Sequence, residues 1–201
     1  MKKLVTFCFM LFLSACVTVP QHSMQSDQVQ SFKLVGVVFK GAENIASWPS
    51  EEESFRKQPN VDVQVIDKLR SGSAQNVPEI HEHFAKSLAT RFEPRFNNEV
   101  GRFLNGARPV RAIVTIKTLN IPSTAVRVLV NNSSSLSATI TLVDVKTSQE
   151  LINYVGASGT QLHVGGVGAL VLSATDLAHN QENDLFSDYF RAYKKWLMKE
   201  S

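Results

Sequence analysis

The most regular pattern in the chain is an apolar residue at every fourth position: Ile80, Phe84, Leu88 and Phe92, with Ala85 and Ala89 beside them. That spacing predicts a long helix with one stripe turned to a core. Asn76 is placed to cap it, Glu79 follows three residues on as in a capping box, and Pro78 falls in the first turn, where its missing N–H costs little. Pro94 is expected to kink or break the helix, after which Phe96, Val100, Phe103 and Leu104 carry the stripe on to Gly106. The period then changes to two. Val110, Ala112, Val114 and Ile116 alternate with Arg111, Thr115 and Lys117, which predicts a strand over 109–121 ended by Pro122. Leu136, Ala138, Ile140 and Leu142 alternate with Ser and Thr, and the turn-forming stretch 144–149 returns the chain through Leu151, Tyr154 and Val155 as a hairpin.

The remaining elements are written less regularly. The run 31–39 (SFKLVGVVF) predicts a first strand buried on both faces or nearly so. Between 40 and 78, Trp48-Pro49 and the acidic Glu51, Glu52 and Glu53 predict a surface excursion with a short helix around 50–57. Val61, Val63 and Val65 alternate as in a second strand, and 71–77 has loop composition. Residues 123–130 are expected to form a short helix before a polar turn at 131–134. The glycine-rich 156–168 leads into an apolar helical stretch, 169–179. A last amphipathic helix starts near Asp184, with Leu185, Tyr189, Tyr193 and Trp196 as its stripe and Lys194, Lys195 and Lys199 in its final turns. This order predicts an α+β fold: a mainly antiparallel sheet of four to five strands, with the long helix and the C-terminal helices packed on one face.

The start of the chain has a different logic. Residues 4–13 are almost wholly apolar and follow Lys2 and Lys3, the n-region and h-region of a signal peptide. The run has barely half of the ~20 apolar residues that a spanning helix needs. It closes on Leu13, Ser14, Ala15 and Cys16, a lipobox. Ser14 and Ala15 leave room for a peptidase, and the Cys16 thiol is the nucleophile that takes diacylglycerol, so that Cys16 becomes the first mature residue. Val17 rather than aspartate follows, and resemblance to sorted lipoproteins of two-membrane bacteria then implies the outer membrane, with the domain facing the periplasm. The expected division is a signal peptide over 1–15, a flexible tether over 16–30 reaching roughly 20 Å r.m.s., and one α+β domain over 31–201.

Composition adds limits. With 43% hydrophobic and 19% charged residues, a chain of 201 can bury a sizeable core. Without Lys2 and Lys3 the balance is 19 basic to 18 acidic residues, which gives no reason to expect nucleic acid. Cys8 leaves with the signal and Cys16 is spent on lipid, so no disulfide is expected.

Taken with the lipobox, the strand beginning Ala107-Arg108-Pro109-Val110-Arg111 and the hairpin Leu142-Val-Asp-Val-Lys-Thr-Ser-Gln-Glu-Leu151 resemble the uncharacterised periplasmic lipoproteins whose domain is similar to the TolB N-terminal, LpoB and CsgG type of module. Such proteins often carry Asp-x-x-Thr-Gly-x-x-Leu at this hairpin; here Ser148 replaces the glycine. The resemblance covers roughly 31–198 in element order and implies an accessory or assembly factor of the envelope rather than an enzyme. The excursion at 40–78 departs from the pattern.

Candidate chemistry is sparse. On a helix His81 and His83 point about 200° apart, and Ala85 stands where a zincin would need its second histidine, so Glu79, His81 and His83 predict a polar face and no metal site. The segment 156–159 lacks one residue of a Gly-x-Ser-x-Gly elbow. Gly166 and Gly168 begin like a dinucleotide loop that Val171 then breaks. No cofactor is expected. Arg91 and Arg95, one turn apart, are the candidate contacts for an anionic partner, set against a solvated face paired with Glu93 and Glu99. Val164, Val167, Leu170 and Val171 are the candidate apolar contact for a partner or a membrane, if they are not a core helix. The expected function is therefore a lipid-anchored, non-catalytic envelope lipoprotein that binds another envelope protein. The alternative is a binder or sensor of a small apolar ligand, which would require an enclosed cavity of a few hundred Å3.

Overall fold

The computed structural model describes residues 19–123, 133–160 and 174–200. Its strands are β1 (Phe32–Lys40), β2 (Ile45–Ser47), β3 (Arg108–Asn120), β4 (Ser134–Asp144) and β5 (Glu150–Thr160). Its α-helices are α1 (Ser26–Gln30), α2 (Pro49–Arg56), α3 (Val63–Ser71), α4 (His81–Glu99) and α5 (Ala174–Met198). The fold is α+β, as expected, around a five-stranded sheet in the order β1-β3-β4-β5, with β2 also on β3. The sheet is mixed. β3–β4 and β4–β5 are antiparallel, whereas β1 and β2 both run parallel to β3, because the whole of 48–107 lies between them and their partner.

One face of the sheet is covered. Val110, Ala112, Val114 and Ile116 of β3, Leu136, Ala138, Ile140 and Leu142 of β4, and Ile152 and Tyr154 of β5 are all buried beneath α4 and α5. Alternation was readable here because each strand has one dry face. β1 corrects the expectation of two-sided burial. Only Phe32 and Val37 are buried, Val35 is 50% exposed, and a register shift falls between Leu34 and Gly36. An apolar run of β-branched residues also suits a half-covered edge strand.

The stripe of α4 is as predicted: Ile80, Phe84, Leu88, Phe92 and Phe96 are fully buried. Its start is not. A 3-10 turn over Pro78–Ile80 precedes the helix, Asn76 belongs to a separate 3-10 turn, and Glu79 pairs with Lys68 at 3.8 Å instead of closing a capping box. Pro94 does not end the helix, which continues to Glu99. Its ring sits on the exposed side, where water can satisfy the carbonyl that loses its N–H partner.

The excursion over 40–78 is not a surface feature. Trp48 is fully buried against Phe84 and Phe92, at ring distances of 5.6 and 5.9 Å, and Phe55, Val65, Leu69, Ala74 and Val77 join the same core. Gly41 begins it with φ +83°, and a Cβ there would lie 2.2 Å from the Ile116 carbonyl oxygen, so only glycine fits this turn. The short helix near 50–57 is α2. The strand expected through Val61, Val63 and Val65 is instead α3. Asp62 caps it through Gln64 N–H, Val65 and Leu69 four residues apart face the core, and Val63 is 69% exposed. Three alternating valines lost to one cap and one i,i+4 pair.

β5 extends to Thr160, through the first residues of the expected glycine loop, and a single helix from Ala174 replaces the two expected at the C-terminus. The helix and turn expected over 123–134 fall largely outside the described residues, as do most of 156–173 and the signal and lipobox over 1–16.

α4 and α5 run in the same direction on the covered face. Phe92 stacks on Phe186 at 3.6 Å, and further along Phe96 meets Phe190 at 5.1 Å and Tyr193 at 6.1 Å. Both helices therefore finish at the end of the molecule where β1, β3 and β5 begin and β4 turns.

Candidate functional site

Within the segment expected to be a free tether, residues 19–24 lie against the end of α5. Trp196 Nε1 donates to the Pro20 carbonyl at 2.8 Å, His22 Nε2 lies 2.9 Å from the Leu197 carbonyl, and Lys199 Nζ donates to the Met24 carbonyl at 2.8 Å. The His22 ring meets the Trp196 ring edge-on at 4.8 Å. Val19 and Met24 pack on the core, α1 follows with Val29 buried, and Ser31 delivers the chain into β1. At that junction Gly106 passes so close that a Cβ would lie 2.3 Å from the Ser31 carbonyl oxygen. Nothing in the polar composition of 17–30 predicts this clasp, because its partners lie some 175 residues away and every acceptor in it is a backbone carbonyl.

A second cluster joins α2, α4 and α5. His83, Ser87, Arg91 and Arg95 stand at intervals of four, a polar stripe beside the apolar one. Arg91 Nη1 is 2.6 Å from Glu51 Oε1 on α2, and its Nη2 is 2.6 Å from Glu182 Oε2 on α5, whose side chain is fully buried. Ser50 Oγ donates to the other Glu182 oxygen at 2.8 Å, and the guanidinium carbon lies 5.4 Å from the Trp48 ring centre. Arg95 donates to Ser187 Oγ at 2.7 Å and to the Asn183 carbonyl at 3.2 Å. The two arginines are thus turned inward, to α2 and α5, and neither meets Glu93 or Glu99. Arg91, held between two carboxylates, acts as a staple between three helices.

Beside the staple an open groove of about 660 Å3 is lined by Glu51, Phe55, Glu82, His83, Lys86 and Ser87, among others. His83 Nε2 lies 3.1 Å from Glu51 Oε2, Gln58 bonds His83 Nδ1 at 3.1 Å, and Ser87 Oγ donates to the same Glu51 oxygen at 2.5 Å. Serine, histidine and carboxylate are all present, but the carboxylate stands between the other two. In the Ser-His-carboxylate triad the imidazole holds that middle place and takes the hydroxyl proton, which is not the order found here. As arranged, one Glu51 oxygen meets both Ser87 and His83. His81, His83 and Glu79 do not converge, and among the described residues no three His, Cys, Asp or Glu side chains form a metal-ligand group. A neighbouring groove of about 550 Å3, lined by Phe55, Pro59, Val61 and Val65 with Asp62 and Glu79, is likewise open to solvent. Neither has the enclosed apolar form that the small-ligand alternative requires.

The β4–β5 turn is held by Asp144. Its Oδ2 accepts from Arg108 Nε at 2.7 Å, and its Oδ1 accepts from the backbone N–H of Lys146 and Thr147 at 2.9 and 3.0 Å. The Arg108 bond, then the Thr147 and Lys146 amides, hold the carboxyl down to about 2. Ser148 has φ 58°, a left-handed conformation that glycine adopts without strain. Burial pushes the phenols of Tyr189 and Tyr193 far above their ordinary value, and Tyr189 donates to the Ala138 carbonyl at 2.6 Å.

Of the residues singled out in the sequence, Arg91 and Arg95 are brought together with α5. Leu13, Ser14, Ala15, Cys16, Val164, Val167, Leu170 and Val171 lie outside the described residues. The partners of the arginines, Glu51 and Glu182, and the clasp around Trp196 were missed. The stripe 83-87-91-95 was the available signal for the first.

No protein-family model matches the chain, and no curated protein does. Several solved structures are similar to it in outline. The protein XCC0632 of Xanthomonas campestris has a TM-score of 0.41 at 5% identity, over 84% of each chain. The lipoprotein GNA1162 of Neisseria meningitidis has a TM-score of 0.29 at 12% identity, over 75% of this chain and 99% of that one. The PelC dodecamer of Paraburkholderia phytofirmans has a TM-score of 0.32 at 17% identity, over 85% of this chain and 95% of that one. These likenesses are too distant to carry a task from one protein to the other.

Proposed function

We propose that this protein is a lipid-anchored, non-catalytic lipoprotein of the bacterial outer membrane whose domain faces the periplasm and binds another envelope component as an accessory or assembly factor. The observation that carries the reading is the lipobox Leu13-Ser14-Ala15-Cys16 behind a short charged and apolar leader. Val17 after the cysteine supports outer-membrane sorting. The accessory role draws on the resemblance of the 142–151 hairpin to the TolB N-terminal, LpoB and CsgG type of module. The arrangement of Ser87, Glu51 and His83 is consistent with a structural rather than a hydrolytic role.

The test is mass spectrometry of the protein purified from membranes, together with Cys16→Ala. The native chain should begin at Cys16 and carry diacylglycerol, and the variant should leave the membrane fraction or accumulate as precursor. A free thiol at Cys16, or a retained leader, would overturn the reading. Crosslinking in intact envelopes should return one reproducible protein partner, and repeated recovery of the monomer alone counts against the accessory role.

A further inference from the structure

Lipidation at Cys16 would do more than tether this domain, because the chain is already packed on the core three residues later, at Val19. Whatever its conformation, the stretch from Cys16 to Val19 spans at most about 11 Å. Val19 is itself packed on the core, and the next residues are clasped to Trp196, Leu197 and Lys199 at the end of α5. The lipid would thus be joined to one known end of the molecule by a link shorter than the domain. β3 alone, with 13 residues, is roughly 43 Å long.

The side chains at that end suit a layer of anionic headgroups. Lys33 at the start of β1, Arg102 after α4, Lys146 in the β4–β5 turn and Lys195 and Lys199 in the last turns of α5 are exposed. Arg108 and Lys194 stand there too, but Asp144 and Glu200 pair with them at 2.7 and 3.1 Å. Asp27, Glu99 and Glu150 oppose this charge, leaving the exposed cations in excess. A polybasic surface beside an acyl anchor is the combination that stabilises membrane attachment beyond what one lipid signal gives.

We infer that the end formed by the clasp, the close of α5 and the β4–β5 turn lies against anionic lipid headgroups, fixing the orientation of the domain and directing the Gly41–Asn44 end away from the membrane. This rests on the lipid-anchored reading proposed above.

The experiment uses the full, natively processed protein, its diacylglyceryl mass checked first. Because Cys8 leaves with the leader and the Cys16 sulfur carries lipid, one introduced cysteine is the only free thiol. Lys146→Cys and Glu43→Cys, placed at opposite ends roughly 25 Å apart along the sheet, are each labelled with a fluorophore. Each is reconstituted into phosphatidylcholine vesicles with 30% phosphatidylglycerol and a headgroup-linked quencher. Quenching at 146 should exceed that at 43 by at least about five-fold, and Lys33→Glu with Lys195→Glu should cut the signal at 146 by half or more. Equal quenching at the two ends in lipidated protein would overturn the orientation alone. A sample lacking the diacylglyceryl mass would overturn the anchor beneath it.

Discussion

Helix α5 meets the rest of the protein in two regions of opposite character. Along 186–193 it presents Phe186, Tyr189, Phe190 and Tyr193 to α4 and the sheet, all fully buried or nearly so. At 196–199 it meets 20–24 through three hydrogen bonds to backbone carbonyls and one ring contact at the molecule's edge. The first region holds the fold together through apolar area and close packing. The second contributes little area but decides where the N-terminus emerges. Loss of the clasp is therefore expected to leave the fold standing, whereas loss of the seam is expected to unfold it.

The widest separation between the two regions comes from Phe186→Ala. Removing the ring that stacks on Phe92 leaves a cavity under α4 and should cost roughly 3–5 kcal/mol in chemical denaturation, enough to threaten the fold. Glu182→Ala comes next. It strips one carboxylate from Arg91 and leaves Ser50 without its acceptor, but Glu51 still holds the guanidinium. The loss should therefore fall below the roughly 3–5 kcal/mol typical of a broken buried pair. Glu182→Gln, which keeps the shape, should recover part of it.

On the other side of the comparison, Trp196→Phe deletes the N–H that holds Pro20 and trims the ring that meets His22, Tyr154 and Tyr193. It should cost roughly 1–2 kcal/mol globally, yet make 19–24 the first site of cleavage in limited proteolysis. If the fold and the clasp fail together in that variant, the two regions are not separable. The smallest effect concerns Asp144 at the same end. Its carboxyl is depressed to about 2 from an ordinary 3.8, so the stability it gives is complete above the unfolded value and is lost as pH falls through about 2. Asp144→Asn should be the less stable protein at pH 7, and the gap to the natural protein should close between about pH 4 and pH 2 in thermal melts.

The seam and the sheet were legible in the sequence because each uses a single period. The four-residue stripe of α4 and the alternation of β3 and β4 are local patterns with one dry side. Errors arose where two local signals competed. Val61, Val63 and Val65 alternate like a strand while Asp62, Val65 and Leu69 spell a capped helix, and the cap prevailed. Trp48 beside Pro49 and three glutamates has the composition of a surface loop, although its ring fills the core. Parallel pairing of β1 with β3 leaves no local trace, since the two strands are joined through some 67 intervening residues. For the candidate site, Arg91 and Arg95 stood out as cations, but which groups they meet depends on α2 and α5 arriving from distant sequence. The clasp has no local pattern at all, because its acceptors are carbonyls that every residue carries.

The claim on which orientation depends is that 19–25 belongs to the folded body. Backbone 15N relaxation of the mature chain measures this directly. The account predicts order parameters for 19–25 near 0.85, the ordinary value for rigid backbone, matching those of α5. Values below about 0.6 across that stretch, with α5 itself rigid, would contradict it and return the segment to a free tether.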